Sequence, residues 1–334
     1  MKILVIRFSA IGDIVWTSPT LRCLKTQLPS ATIHFATKAQ YRMMVAQNPY
    51  IDKVHYLDQD LNTLIDQLKA EKFDFVLDLH KNLRTAWIKL RLGVKSYTYH
   101  KMNWRRWLLV YWKLKRLPNV HIADRYLAAA KPLGIRPDGK GLDYFLATEE
   151  YLDTKAALPS DFHAGFVAIV TGASTFTKKL PPAKLIELCQ YLNRPVVLLG
   201  GKEDRATATI VTEYFAKHPF GRVRVFNACG LWSLNQAVSI AQKSQAVIGH
   251  DTGLTHIMAA FDVPLYAIYG GTSTLGFHPY KEAYQIVENT HLACRPCSKS
   301  GLDKCPKGHF KCMQDLVFDF KVPEYHPQKT PNDA

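Results

Sequence analysis

The chain has 334 residues, of which 47% are hydrophobic and 21% charged. This is the composition of a globular protein about twice the usual length of one domain, and no run approaches the roughly 20 apolar residues that cross a bilayer. The formal net charge is +15, of which +11 falls within residues 1–150. Such a charge favours nucleic acid, anionic lipid or a phosphorylated substrate as partner, without choosing among them.

Short apolar runs alternate with helical patterns along the first half of the chain. The opening residues carry a basic and apolar stretch without a small-residue cleavage site, so we expect a first strand and not a signal peptide. A helix is predicted over residues 15–28. Further strands are predicted at residues 32–37, 53–57 and 73–80, with helices between them.

The same alternation begins again after Asp161. Strands are predicted at residues 166–172, 195–201, 223–230, 246–251 and 264–271, with helices from about Pro182, Glu203, Ser233 and Gly253. Continuous apolar strands of this kind are typical of parallel sheets covered by helices. We therefore expect two α/β domains, residues 1–150 and 164–334, joined by a polar linker over about residues 147–163. Ligands of such sheets bind beyond the carboxyl ends of the strands.

One carboxylate follows the first predicted strand directly. Asp13 lies next to Gly12 at the turn from strand to helix, on the edge of the expected cleft. It can act there as a general base, but Asp is also a common amino-terminal cap of a helix. The dinucleotide fingerprint G-x-G-x-x-G is absent from this turn.

The predicted strand at residues 246–251 leads into a helix through Asp251, Thr252 and Gly253. Backbone amides at such a helix start, with the Thr252 hydroxyl, form a phosphate site. His256 lies on the first turn and can donate a further hydrogen bond to a diphosphate, although a single histidine on a helix is as often structural.

Two other loops after strands carry polar side chains. Ser174 and Lys178 follow one strand and suit phosphate oxygens, although a solvated lysine is the plainer explanation. Glu203 follows the next strand and can accept hydrogen bonds from ribose hydroxyls, or it can cap a helix.

Together these residues resemble the glycosyltransferase family that contains the ADP-heptose:lipopolysaccharide heptosyltransferases. Residues 6–13 followed by Thr17-Ser18-Pro19 are similar to its opening motif, and residues 249–256 to its donor-binding motif. The resemblance covers nearly the whole chain. Leu180 stands where the family commonly has Trp, and Ala173 where some members have a hydroxyl residue.

The resemblance implies a GT-B fold, in which two Rossmann-like domains with parallel sheets face each other across a cleft. It implies an inverting transfer of heptose, or a related sugar, from ADP-heptose to an anionic acceptor of the lipid A or core oligosaccharide type. Asp13 is the implied base. Ser174, Lys178, Glu203 and the residues from Asp251 to His256 are the implied donor contacts.

The resemblance also implies a cytoplasmic enzyme without a catalytic cofactor or metal. A nucleotide-sugar epimerase or hydrolase on the same fold, and a nucleotide-sugar-binding protein without catalysis, are the alternative hypotheses.

Four cysteines crowd near the carboxyl end: Cys294, Cys297, Cys305 and Cys312. His309 lies among them. Four thiolates hold structural zinc tetrahedrally, although the spacing here differs from that of standard zinc ribbons and fingers. Reduced thiols are a second hypothesis, and a disulfide is a third that cytosolic proteins disfavour. Any zinc would be structural, because four protein ligands leave no open position.

Residues 101–117 interleave aromatic and basic side chains, among them Arg105, Arg106, Lys113 and Arg116. An interfacial helix on anionic lipid has this composition. A helix that packs its aromatic side chains into the first domain and leaves a solvated basic rim is the alternative. Nucleic acid is disfavoured as a partner, because no recognised binding motif accompanies the charge.

Overall fold

The computed structural model describes residues 1–324 and contains two parallel sheets. The strands of the first sheet are β1 (Lys2–Ile6), β2 (Thr32–Lys38), β3 (Lys53–Leu57), β4 (Phe75–Asp78) and β5 (Lys95–Thr98). Its helices are α1 (Ile11–Val15), α2 (Ser18–Gln27), α3 (Leu61–Ala70), α4 (Leu83–Leu92), α5 (Asn103–Trp112) and α6 (Ile122–Ala129). The strand order is β3-β2-β1-β4-β5.

The second sheet has six strands and follows a short helix, α7 (Thr154–Ala157). Its strands are β6 (Val167–Val170), β7 (Pro195–Leu199), β8 (Arg224–Asn227), β9 (Ala246–His250), β10 (Leu265–Tyr269) and β11 (Gln285–Glu288). Its helices are α8 (Pro182–Leu192), α9 (Arg205–Lys217), α10 (Leu234–Ala241), α11 (Gly253–Met258) and α12 (Lys311–Gln314). The order is β11-β10-β9-β6-β7-β8.

Burial explains why the central strands are apolar without alternation. β6, β9 and β10 are buried at every residue, and apolar clusters cover both faces of each sheet. A parallel sheet with helices on both faces leaves no strand face for water. The predicted α/β class with parallel sheets is therefore confirmed.

The helix predicted over residues 15–28 is α2, and a separate short helix, α1, precedes it. α1 ends at Val15, and α2 begins at Ser18 with Pro19 in its first turn. Proline has no amide hydrogen and a φ fixed near the helical value, so it fits the first turn of a new helix and cannot continue an old one. The break lets α1 point in its own direction, across the cleft.

The two halves touch closely where α1 meets α11. A Cβ added to Gly253 would lie 2.5 Å from the Ile11 side chain, and one added to Gly12 would lie 3.0 Å from the His256 ring. The Trp16 ring centroid lies 4.5 Å from that of His256. Glycine at residues 12 and 253 thus allows the helix after β1 to approach the helix after β9.

Residues 148–162, within the predicted linker, form short 3₁₀ turns and α7. Both sheets lie inside the predicted domain limits, which stay a prediction, and residues 325–334 at the end of the second domain lie outside the described residues. Within residues 1–324, no helix combines the length and the apolar composition needed to span a membrane.

Candidate functional site

A cavity of about 410 Å³ opens between the two sheets, where their strand order reverses. β1 and β4 are the neighbours at this point in the first sheet, and β6 and β9 in the second. Open parallel sheets bind ligands at such switch points. The residues that line the cavity and were predicted from the sequence are Asp13, Ser174, Lys178, Asp251, Thr252, Gly253 and His256, with Arg106.

Asp13 contributes a carboxylate to the cavity from the first half. It is the third residue of α1, and its Oδ2 lies 2.7 Å from the Arg7 guanidinium. The Tyr126 hydroxyl donates to Oδ1 at 3.2 Å. The Ala10 amide donates to Oδ2 at 3.4 Å, which is longer than an ordinary hydrogen bond. Asp13 thus caps its helix weakly and is held mainly by Arg7 and Tyr126.

Burial and charge fix the protonation of both partners. Burial alone would lower the pKa of Arg7, but the Asp13 carboxylate holds that pKa above its ordinary value. Burial, helped by Asp13, raises the pKa of Tyr126 well above its ordinary value. The guanidinium therefore stays charged and the phenol stays a donor, so both orient the carboxylate.

Asp251 organises the side of the cavity that belongs to the second half. Its Oδ2 lies 2.9 Å from Lys178 Nζ and accepts from the Thr272 hydroxyl at 2.8 Å, while Oδ1 lies 3.1 Å from His256 Nε2. Burial alone would raise the pKa of Asp251, but Lys178 holds it well below its usual range. Asp251 therefore stays ionised and balances the charge of Lys178.

The start of α11 completes this wall. Thr252 precedes the helix in extended conformation, and its side chain makes no capping hydrogen bond. The first amides of a helix have no partner within the helix and favour negative charge. The cavity thus presents a carboxylate on one wall and, on the other, a helix start beside a lysine.

The sequence model of glycosyltransferase family 9 (heptosyltransferase) matches residues 61–306, well over half of the chain. The chain belongs to this family. It is 26% identical to lipooligosaccharide heptosyltransferase 2 of Haemophilus ducreyi, over 97% of this chain and 98% of that protein. The predicted family and enzyme class are confirmed: the protein is a glycosyltransferase.

Solved structures confirm the fold. The structure of ADP-heptose lps heptosyltransferase II of E. coli matches with a TM-score of 0.68 at 21% identity, covering 94% of this chain and 98% of that one. An E. coli heptosyltransferase with ADP-2-deoxy-2-fluoro heptose matches with a TM-score of 0.62 at 20% identity, covering 86% and 92%. The expected GT-B arrangement, with two parallel sheets across a cleft, is that of this glycosyltransferase.

Glu203 lies apart from the other predicted donor residues of this glycosyltransferase. It is exposed on a 3₁₀ turn, Lys202–Asp204, and does not line the cavity. Its carboxylate lies beside Gly201, at the place where a Cβ of that residue would be. The helix predicted from Glu203 begins only at Arg205.

The basic residues of the aromatic stretch divide into two pairs. Arg106 lines the cavity, with its guanidinium 4.3 Å from the centre of the Phe277 ring, and Lys113 binds backbone carbonyls of the second half. Arg105 and Arg116 are exposed. A helix points its side chains in several directions, so only part of the set faces solvent.

Three of the four aromatic side chains of α5 face solvent. Trp104, Tyr111 and Trp112 are between 64% and 68% exposed. The Trp104 and Trp107 rings stack on each other, with centroids 5.0 Å apart. The alternative in which this helix packs its aromatic side chains into the first domain therefore does not hold for these three.

The clustered cysteines predicted to hold zinc are free thiols in this structure. All seven cysteines are free thiols, and the Cys294 sulfur lies 3.8 Å from His309 Nε2. No three ligand atoms from Cys294, Cys297, Cys305, Cys312 and His309 lie within 4.8 Å of one another among the described residues. Tetrahedral zinc–thiolate bonds of about 2.3 Å bring sulfurs closer together than this, so the zinc site stays a prediction.

A different group has three ligand atoms within 4.8 Å of one another: His34, His55 and Glu71. His34 Nδ1 lies 2.9 Å from His55 Nε2, and both rings are buried. Both Lys2 and Lys53 form ion pairs with Glu71. These two ammonium groups already occupy the carboxylate and oppose a cation there.

Several residues that line the cavity or hold its lining side chains were not predicted from the sequence. Arg7 and Tyr126 hold Asp13, while Thr272 and Lys299 lie on the opposite side. Tyr126 is 113 residues from Asp13 along the chain, so no local spacing announces the contact. Arg7 alone carried a usable signal, as a charged residue directly after an apolar strand.

Proposed function

We propose that this glycosyltransferase transfers heptose, or a related sugar, from ADP-heptose to an anionic acceptor of the lipid A or core oligosaccharide type, with inversion. One observation carries the proposal: a single cavity holds the Asp13 carboxylate opposite Lys178 and the start of α11. The family, and a related fold solved with an ADP-heptose analogue, support the donor.

In this proposal the second half binds the donor diphosphate. Ser174 and Lys178 donate to its oxygens, together with the amides at Thr252 and Gly253. His256, whose Nε2 faces Asp251, donates to the diphosphate from Nδ1 in its doubly protonated form. Charge grows on the diphosphate as the bond to the sugar breaks, and these donors stabilise it without a cofactor or metal. Asp251 keeps Lys178 and His256 in place. The ribose contact proposed for Glu203 has no support from its exposed position.

Asp13 acts as the general base. It takes the proton of the acceptor hydroxyl while that oxygen bonds to the anomeric carbon, and the diphosphate leaves from the opposite face with the bonding electron pair. One displacement of this kind inverts the configuration. Arg7 and Tyr126 keep the carboxylate pointed at the acceptor.

Surplus positive charge beside Asp13 supports an anionic acceptor. Arg106 and Arg125 flank the Phe277 ring, at 4.3 and 5.3 Å from its centre. Arg125 is only 5% exposed, yet its Nε and Nη1 have no hydrogen-bond partner among the described residues. A buried guanidinium without hydrogen-bond partners is costly. A carboxylate or phosphate group on the sugar acceptor would accept its hydrogen bonds.

The exposed aromatic face of α5 supports a further proposal, that the enzyme works at an anionic membrane on the cytoplasmic side. Trp104 and Trp112, flanked by Arg105 and Arg116, have the composition of an interfacial helix. On the opposite face of this helix, Arg106 lines the cavity. Membrane and reaction site therefore lie on two sides of one element, and no nucleic-acid partner is invoked.

Replacement of Asp13 by Asn tests the mechanism. We expect turnover to fall by about 10²–10⁴, the usual contribution of a general base, while calorimetry shows unchanged affinity for ADP. Wild-type turnover in this variant would leave Asp13 as a helix residue only.

Product analysis with and without acceptor separates transfer from the alternative reactions. A transferase leaves ADP-heptose intact until acceptor is added, whereas an epimerase or hydrolase converts it alone. A protein that binds ADP-heptose and converts it under neither condition would be a binding protein.

A further inference from the structure

A segment of the second half crosses the cleft. We call residues 294–302 the strap. At its donor end the Thr177 amide donates to the Leu302 carbonyl at 3.0 Å, and the Cys297 amide donates to the Gly271 carbonyl at 2.9 Å. These contacts fix the strap to the loops that follow β6 and β10, the loops that carry Lys178 and Thr272.

At its other side the strap is held by α5 and the residue after it. The Lys113 ammonium donates to two strap carbonyls, that of Cys294 at 3.0 Å and that of Pro296 at 2.7 Å. The Arg106 guanidinium donates to the Lys299 carbonyl at 2.6 Å. The first half thus donates three hydrogen bonds to the strap, two near its beginning and one after its midpoint.

Between these anchors Lys299 and Ser300 line the cavity, together with Ser174 and Lys178. Lys178 is already paired with Asp251, at 2.9 Å. Lys299 takes part in no ion pair within residues 1–324. The diphosphate of a nucleotide sugar brings two negative charges, so a further cation in the cavity matches it better than the balanced pair alone.

We propose that the strap is a part of the donor site, in which Lys299 binds the diphosphate and Lys113 is a positioning residue that holds Lys299 there. The proposal rests on the proposed function, because it takes a nucleotide diphosphate as ligand. Lys113 touches carbonyls of the strap and does not line the cavity. Its effect on the donor therefore passes through the strap.

Calorimetry with ADP and with adenosine tests both roles in the full chain. We expect Lys299→Ala to weaken ADP about tenfold or more, as loss of a charged hydrogen bond does, and to leave adenosine unchanged. Lys113→Ala should weaken ADP roughly threefold to tenfold, and Lys113→Arg should restore it, since a guanidinium can reach both carbonyls. Lys115→Ala is the matched control, because Lys115 is exposed and the substitution removes the same charge without removing a contact to the strap.

Hydrogen exchange gives a second readout. Strap amides should exchange faster in Lys113→Ala than in Lys115→Ala, with the rest of both proteins unchanged. Equal ADP affinity in all variants, or equal losses for ADP and adenosine, would overturn the strap proposal while leaving the transferase intact. A wild-type protein that binds neither ADP nor ADP-heptose would instead overturn the proposed function, and the strap proposal with it.

Discussion

At the scale of single residues, two neighbouring lysines have different partners. Lys178 pairs with Asp251 inside the cavity, whereas Lys179 pairs with Asp204 at 2.6 Å, and Lys179 does not line the cavity. We expect Lys178→Ala to weaken ADP by about 1.5–3 kcal/mol, the value of a hydrogen bond to a charged group, and to leave adenosine unchanged. Titration calorimetry measures both ligands.

Lys179→Ala serves as the control, since it removes the same charge one residue away. It should bind ADP as the wild type does, even if the loss of the Asp204 partner lowers its melting temperature. Equal weakening of ADP by the two substitutions would show that the diphosphate senses only the net charge of this loop.

His250 makes the second half sensitive to acid. Its Nε2 accepts the Leu180 amide at 2.9 Å, and burial lowers the pKa of His250 to about 4. Histidine in an unfolded chain has a pKa of about 6.5. Between this value and the pKa of native His250, the unfolded chain binds a proton at His250 and the folded protein does not. Stability should therefore fall as the pH drops from about 6.5 to 4, by at most about 1.4 kcal/mol per pH unit for this residue.

Urea unfolding of wild type and His250→Gln measures this contribution between pH 4.5 and 7, roughly the range over which His250 is expected to lower stability. Glutamine keeps an acceptor for the Leu180 amide but does not titrate, so the variant should lose less stability on acidification. The lowered pKa values of His55 and His80, each about 4, contribute to the slope in both proteins. Identical slopes would assign the acid sensitivity to the other histidines with a lowered pKa, which also include His34 and His121.

At the scale of elements, α5 has an exposed face and a buried one. Vesicle binding should depend on the exposed residues alone, because Arg106 and Lys113 contact the second half. We expect Trp104→Ser with Arg105→Gln and Arg116→Gln to abolish co-sedimentation with anionic vesicles and to keep ADP affinity. Wild-type binding should weaken as salt screens the charges, over a Debye length of about 8 Å near physiological strength.

Neutral vesicles supply the control for this experiment, and they should bind poorly. If the triple variant still sediments with anionic vesicles, α5 is not the lipid contact, and the positive charge of the first half serves the acceptor alone.

The buried strands were predictable from the sequence, and so were the edge strands β3 and β8, but the edge strands β5 and β11 were not. β1, β6 and β9 are continuous apolar runs because both of their faces are covered. β5 and β11 escaped prediction: each has four residues, several of them polar and partly exposed, since each lies at the edge of its sheet. So short a run shows neither a continuous apolar stretch nor a clear alternation.

At the scale of the whole molecule, the cavity forms from segments that are far apart in sequence. Asp13 and Thr252 could be predicted as candidates because each follows a strand, and parallel strands gather such loops at one edge. Tyr126 and Lys299 could not, because their place depends on how the two halves dock. The same rule predicted Glu203 at the cavity. Its side chain lies outside the cavity, because its loop turns back over Gly201.

The docking of the halves depends on the missing side chain of Gly253. A Cβ there would lie 2.5 Å from Ile11, which belongs to the helix that carries Asp13. Gly253→Ala should therefore push α1 away from α11 and lower turnover by about 10²-fold, the cost of a displacement of roughly 1 Å between reacting groups. Steady-state kinetics with saturating ADP-heptose isolates this effect from weaker donor binding.

Gly141→Ala is a suitable control, because the nearest contact of its Cβ would be the Tyr280 carbonyl at 3.9 Å, an ordinary van der Waals distance. It should leave turnover unchanged. The melting temperature of both variants is measured as well, because α1 and α11 belong to one apolar cluster and the clash can also lower stability. If Gly253→Ala turns over as fast as Gly141→Ala, the close contact of α1 with α11 is not required for the reaction, and the halves reach their reactive arrangement by another approach.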